Sequence, residues 1–135
     1  SMRWVLSLLS LVLLPAALGA APDAGRTWPG FRNDGSSRTV AGELPLRWSA
    51  KENLAWRVTL PGYGQSSPVI WKDRVWVTWV QGAAKDRNFV RCFGLRDGKA
   101  LWEKEFPASQ PVMDSDYVSK SAPTPAVDEE RVYLL

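Results

Sequence analysis

The sequence predicts an all-β chain built from a repeated four-strand unit, and three observations carry that expectation. Past residue 19 no stretch holds a 3.6-residue apolar period over ten residues, whereas period-2 alternation and short apolar runs recur. Pro61-Gly62, Lys72-Asp73 and Asp97-Gly98 punctuate those runs at strand-length intervals. The chain also matches itself. Ser67-Pro68-Val69-Ile70-Trp71-Lys72-Asp73-Arg74-Val75-Trp76-Val77 aligns with Thr124-Pro125-Ala126-Val127-Asp128-Glu129-Glu130-Arg131-Val132-Tyr133-Leu134 at a shift of 57 residues. Leu54 to Pro61 aligns with Ala100 to Pro107 at a shift of 46, which superposes Trp56 on Trp102 and Pro61 on Pro107. A four-strand unit repeated at this scale predicts a β-propeller of four-stranded antiparallel blades.

The elements follow in order. Residues 20–53 read as an irregular lead-in rich in turn formers, its one patterned piece being Trp28-Pro29-Gly30-Phe31-Arg32. In 54–60, Leu54, Trp56, Val58 and Leu60 alternate with Ala55, Arg57 and Thr59, the pattern of a half-buried strand. It has no strands A to C before it and is placed as a closing strand of D type. Blade 1 occupies 67–106, with A at 67–71, B at 74–80, C at 89–95 and D at 100–106. The B strand is apolar on both faces, as a strand covered from both sides should be. A second blade begins with A at 124–128 and B at 131–135. The chain thus spans about one and a half blades of the roughly 4–8 that a ring needs, and reads as the amino-terminal fragment of a longer protein.

The 135 residues include 17 Lys and Arg, 14 Asp and Glu, eight Trp, one Cys and no His, with a net charge of +3. Without histidine there is no His-dependent nucleophile system and no imidazole metal ligand. The single Cys92 excludes an internal disulfide and a thiolate zinc cluster, and it reads as a small buried core residue. The charges are scattered singly rather than gathered on one face, so no nucleic-acid partner is expected.

Ser1 precedes Met2, where the natural start is read, and Arg3 supplies a positive start for the apolar run from Trp4 to Leu14. Pro15 breaks that run, and Ala17-Leu18-Gly19 is a small-x-small cleavage site, which makes 1–19 a signal peptide. A spanning helix wants about 20 apolar residues, so no membrane span is expected after cleavage. The expected location is the periplasm or the extracellular space.

In the window Cys92-Phe93-Gly94-Leu95-Arg96-Asp97-Gly98-Lys99-Ala100-Leu101-Trp102 the chain resembles the PQQ-like (quinoprotein-type) repeat. That family's tryptophan-docking motif runs Ala-x-Asp-x-x-Thr-Gly-Lys-x-x-Trp. Gly98, Lys99 and Trp102 match it, while Cys92 stands for Ala, Gly94 for Asp and Asp97 for Thr. The A and B strands at Ser66-Ser67-Pro68-Val69 and Arg74-Val75-Trp76-Val77 are similar too, as is the lead-in at Trp28 to Arg32. The resemblance covers about 54–135. It implies that Trp56, Pro68, Gly98, Lys99, Trp102 and Pro125 are structural-motif positions. The tryptophans would pack between blades and explain the Trp content.

The family includes PQQ-dependent dehydrogenases and a non-catalytic outer-membrane protein assembly factor. This chain has no adjacent cysteine pair, and no catalytic residue is assigned. The favoured reading is an exported, non-catalytic scaffold or protein-interaction propeller with an envelope or extracellular protein as partner. No cofactor is expected. The alternative is a PQQ-dependent alcohol or sugar dehydrogenase with Ca²⁺, and the third reading is a carbohydrate-binding propeller using Trp71, Trp76 and Trp79, for which core packing is the rival. The long B-to-C and D-to-A connections, Gln81 to Asn88 and Pro107 to Ser121, rise at one end of the blade and form a candidate binding face. Its candidates are Lys85, Arg87, Tyr117 and Lys120. Asp114 and Asp116 could offer carboxylates to Ca²⁺, although a solvated acidic loop explains them as well. Glu103 and Glu105 read as the wet edge of strand D.

Overall fold

A computed structural model describes residues 27–39, 44–108 and 121–135. The expected signal peptide, 1–19, and the candidates Asp114, Asp116, Tyr117 and Lys120 lie outside the described residues. The described chain is all-β, with no helix. It forms a five-stranded antiparallel sheet in the order β1-β2-β3-β4-β5 and a two-stranded antiparallel sheet of β6 and β7. The strands are β1 (Thr27–Trp28), β2 (Val69–Trp71), β3 (Arg74–Gln81), β4 (Arg87–Gly94), β5 (Ala100–Pro107), β6 (Ala126–Val127) and β7 (Val132–Tyr133).

Four of the five strands in the larger sheet are the four predicted for residues 67–106, in that order. β3 and β4 pair along their whole length, from Arg74 opposite Gly94 to Gln81 opposite Arg87. β4 and β5 pair from Arg87 opposite Pro107 to Phe93 opposite Ala100, with a register shift between Cys92 and Phe93. The β2–β3 turn is Lys72-Asp73, where Lys72 takes a φ of 55° at the first turn position. Two-residue hairpin loops require a positive φ, because only then does the turn's twist match that of the strands.

The shift of 57 residues is also a structural repeat. In the first hairpin Val69 faces Trp76 and Ile70 faces Val75. In the second, Ala126 faces Tyr133 and Val127 faces Val132, which are the same four alignment positions in the same register.

Pairing across the sheet sorts its side chains onto two faces. Val69, Trp76, Cys92 and Val90 share one face, and β6 and β7 close over it with Val127 and Val132 to form the apolar cluster, with Trp71 packed alongside. The other face carries Trp79 stacked on Phe89 at 5.3 Å, with Phe93 near Trp56. Trp76, Trp79, Val90 and Phe93 are buried, so β3 and β4 are covered from both sides.

Three expectations need correction. Residues 54–60 form no strand, and Leu54 and Val58 stay exposed. The edge of β3 that this stretch leads towards is instead taken farther on, where Tyr63 bridges Val80 through both backbone hydrogen bonds. The A-type strands are shorter than expected, 69–71 and 126–127, because Pro68 and Pro125 have no N–H to give a ladder. Finally, the lead-in is not wholly irregular. Thr27 and Trp28 add a fifth strand to the edge of β2.

Candidate functional site

The best-built constellation centres on the β4–β5 turn. Gly94 to Lys99 closes on itself: the Gly94 N–H donates to the Lys99 carbonyl and the Gly98 N–H to the Gly94 carbonyl, each at 2.9 Å. The Asp97 carboxylate accepts the Lys99 N–H at 3.0 Å. A Cβ on Gly94 would stand 2.5 Å from that same carboxylate oxygen. The acidic group of this turn therefore comes from Asp97 and occupies the space a side chain at 94 would need.

Trp56 sits on this turn. Its indole N–H donates to the Leu95 carbonyl at 2.8 Å. A Cβ on Gly98 would lie 2.6 Å from Cδ2 and Cε3 of the ring. Gly98 also has a φ of 65°, so glycine is required there for its backbone and again for the close approach of the ring. The sequence named Trp56 and Gly98 as separate motif positions; that they touch, and that the Leu95 carbonyl accepts from the indole N–H, left no signal in it.

Trp102, aligned with Trp56 in the repeat, is 36% exposed. It lies with Trp71, Trp76 and Phe106 in a cleft of about 770 Å³ between the larger sheet and the β6–β7 hairpin. Lys72, Asp128, Glu129 and Arg131 edge the cleft. Lys72 pairs with Glu129 at 2.8 Å across it. Pro125 is fully buried beside the hairpin, whereas Pro68 is exposed and Lys99 contributes only its backbone to these contacts.

The proposed carbohydrate platform does not assemble as a surface. Trp76 and Trp79 are 5% and 0% exposed, and their ring faces are engaged in packing. The indole N–H groups of Trp71, Trp76 and Trp79 are buried with no hydrogen-bond partner. Each such group costs about 1–3 kcal/mol, which the aromatic burial around it offsets.

Of the expected binding face, Lys85 and Arg87 are described. The Lys85 ammonium lies 5.5 Å from the centroid of the Tyr63 ring. Arg87 makes a two-pronged ion pair with Glu105, at 2.6 and 2.9 Å, and rests over the Phe89 ring. Arg87 holds the Glu105 carboxyl below the usual glutamate range. Arg91 directs both Nε and Nη2 at one oxygen of Glu103 and lies over Trp79 and Phe93. Glu103 and Glu105 thus belong to a charged ladder on exposed β5. Cys92 is fully buried, and desolvation raises its thiol pKa. Among the described residues no helix is long and apolar enough to cross a membrane, and no three His, Cys, Asp or Glu side chains gather as a metal site.

No protein-family model, curated protein or solved structure matches this chain.

Proposed function

We propose that this chain is part of an exported PQQ-like-repeat β-propeller that serves in the cell envelope as a non-catalytic scaffold for other proteins. The observation that carries the reading is the seat of Trp56 on the Gly98 turn, with its indole N–H on the Leu95 carbonyl. A ring held over a glycine in this way fastens the stretch before the first repeat onto that repeat's β4–β5 turn without using any group that chemistry needs. The identical register of the two hairpins gives the same support, since a propeller repeats one hairpin around an axis.

The scaffold reading rests on what the chemistry-bearing side chains do. Glu103 and Glu105 neutralise Arg91 and Arg87, Asp97 and Asp128 fasten turns, and Cys92 fills the core. These are structural tasks, and a rigid frame with paired charges on its faces suits protein recognition. Export follows from the amino-terminal pattern and predicts a mature chain beginning at Ala20.

Two experiments test this. Expression in a bacterium with an envelope followed by mass measurement should give a periplasmic product starting at Ala20; an unprocessed cytoplasmic product removes the export claim. Titration with PQQ and Ca²⁺, followed by tryptophan fluorescence, should give no saturable quenching. Saturable quenching at micromolar PQQ would replace the scaffold with a quinoprotein dehydrogenase.

A further inference from the structure

Three consecutive residues near the start of the described chain touch both repeat units. Thr27 and Trp28 pair antiparallel with the outer edge of β2, opposite Trp71 and Ile70. One residue later the Pro29 carbonyl accepts the Val127 N–H at 2.8 Å, on β6. β2 belongs to the first hairpin and β6 to the second, so one short arm satisfies an edge of each.

The need for this arm is clearest at Val127. The residue is 5% exposed, and its N–H is one that β7 does not take. Backbone donors alternate in direction along a strand, so residues 125 and 127 face the same way, and Pro125 has no donor. Val127 is then the only one of the pair that can donate on that side, and a buried donor left unpaired is costly. The arm is also shaped before it arrives. After Pro29 the chain folds back: the Asn33 N–H donates to the Gly30 carbonyl at 3.2 Å, the Arg32 guanidinium to the Ser37 hydroxyl at 2.9 Å, and the Asn33 side-chain amide to the Arg38 carbonyl at 2.7 Å. Pro29 fixes its own φ, which limits the directions its carbonyl can take.

We infer that Thr27–Pro29 is a strap that couples the two hairpin units, closing the edges of β2 and β6 with one piece of chain. The inference stands on the backbone pairing alone and does not depend on the propeller reading. Its release would leave the β2 edge open to an added strand, the ordinary route by which extended peptides join a sheet.

Hydrogen exchange on the whole chain tests it at single amides. In the double variant Thr27→Pro/Trp28→Pro the arm cannot donate to β2. The strap predicts that the Val127 amide then exchanges at least tenfold faster. The Gly98 amide, bonded to Gly94, and the Leu95 amide, bonded to Asp73, report the first unit alone and should stay within about twofold. A chain beginning at Gly30 must give the same selective acceleration, which separates loss of the strap from damage by the introduced prolines. An unchanged Val127 amide in both variants overturns the inference. So does equal acceleration of all three amides in the shortened chain, because the arm would then be one part of a single cooperative unit.

Discussion

Lys72 and Glu129 occupy the same position in successive repeats, 57 residues apart, and their side chains meet at 2.8 Å. Ser67 and Thr124 are another such pair: the Ser67 N–H donates to the Thr124 hydroxyl at 3.0 Å. Equivalent positions touch only when neighbouring units are stacked side by side with little relative slip. The two contacts therefore measure the packing of one hairpin on the next, and they do so at both ends of the A-type strand.

These two contacts should differ in their worth. The Lys72–Glu129 pair is exposed on both sides, so solvent screens it and Glu129→Gln should cost little stability. Thr124→Val keeps the shape but removes the acceptor from the part-buried Ser67 N–H, and a loss of about 1 kcal/mol is expected. Urea unfolding of the two variants checks the order. A Glu129→Gln variant that loses more than Thr124→Val would show that charge, not backbone satisfaction, holds the units together.

Trp56 and Gly98 should behave as one unit. Gly98→Ala faces both an unfavourable positive φ, about 1–2 kcal/mol, and the indole ring at 2.6 Å. Trp56→Phe keeps an aromatic ring and gives up the bond to the Leu95 carbonyl, about 1 kcal/mol. Because the ring is what the new methyl strikes and phenylalanine leaves a ring in its path, a double variant pairing Gly98→Ala with Trp56→Ala should lose clearly less than those two single losses added together. Strict additivity in a double-mutant cycle would separate the two residues and remove the contact from the argument.

The strands of residues 67–106 were legible because each combines an apolar run with turn residues beside it. The repeat was legible too, since Pro, Arg and Val recur at the same spacing. Other features left no signal in pattern. The two residues of β1 are too few to show a period, and only the edge of β2, distant in sequence, makes them a strand. Leu54 to Leu60 carries a strand's alternation, but alternation records which side chains suit a sheet and cannot supply the partner that a ladder needs. The touching of Trp56 and Gly98 is a contact over 42 positions that periodicity cannot see. The Asp128 turn was within reach, because Asp followed by polar residues marks a side-chain-capped turn, yet the strand pattern around it hid the cue.

Cys92 should be slow to react. It is fully buried in the cluster with Val69, Trp76 and Val90, and burial pushes its thiol above the ordinary cysteine value, which leaves little thiolate near neutral pH. Alkylation at pH 7.5 should proceed at least a hundredfold more slowly in the native protein than in denaturant. Equal rates would mean that the cluster opens freely. Cys92→Ala should cost about 1 kcal/mol by loss of packing, with the fold retained.

Asp128 links the second hairpin to pH. Its carboxylate accepts the Tyr133 hydroxyl at 2.7 Å and the backbone N–H groups of Glu130 and Arg131 at 2.8 and 2.7 Å. The Tyr133 bond first, then the two backbone bonds, hold its pKa below the ordinary aspartate value. A carboxyl whose pKa is depressed on folding stabilises the native state above its unfolded pKa, near 3.9, and loses that contribution as pH falls through the folded value. Tyr133→Phe removes the largest cause, so the Asp128 midpoint should move up toward the ordinary value in a carboxyl NMR titration. The stability difference between the parent and Tyr133→Phe should be present at pH 7 and shrink as pH falls through the folded values, until both carboxyls are protonated. A midpoint that stays put in Tyr133→Phe would assign the depression to the backbone donors alone, and the stability difference would then show no pH dependence in the acid range.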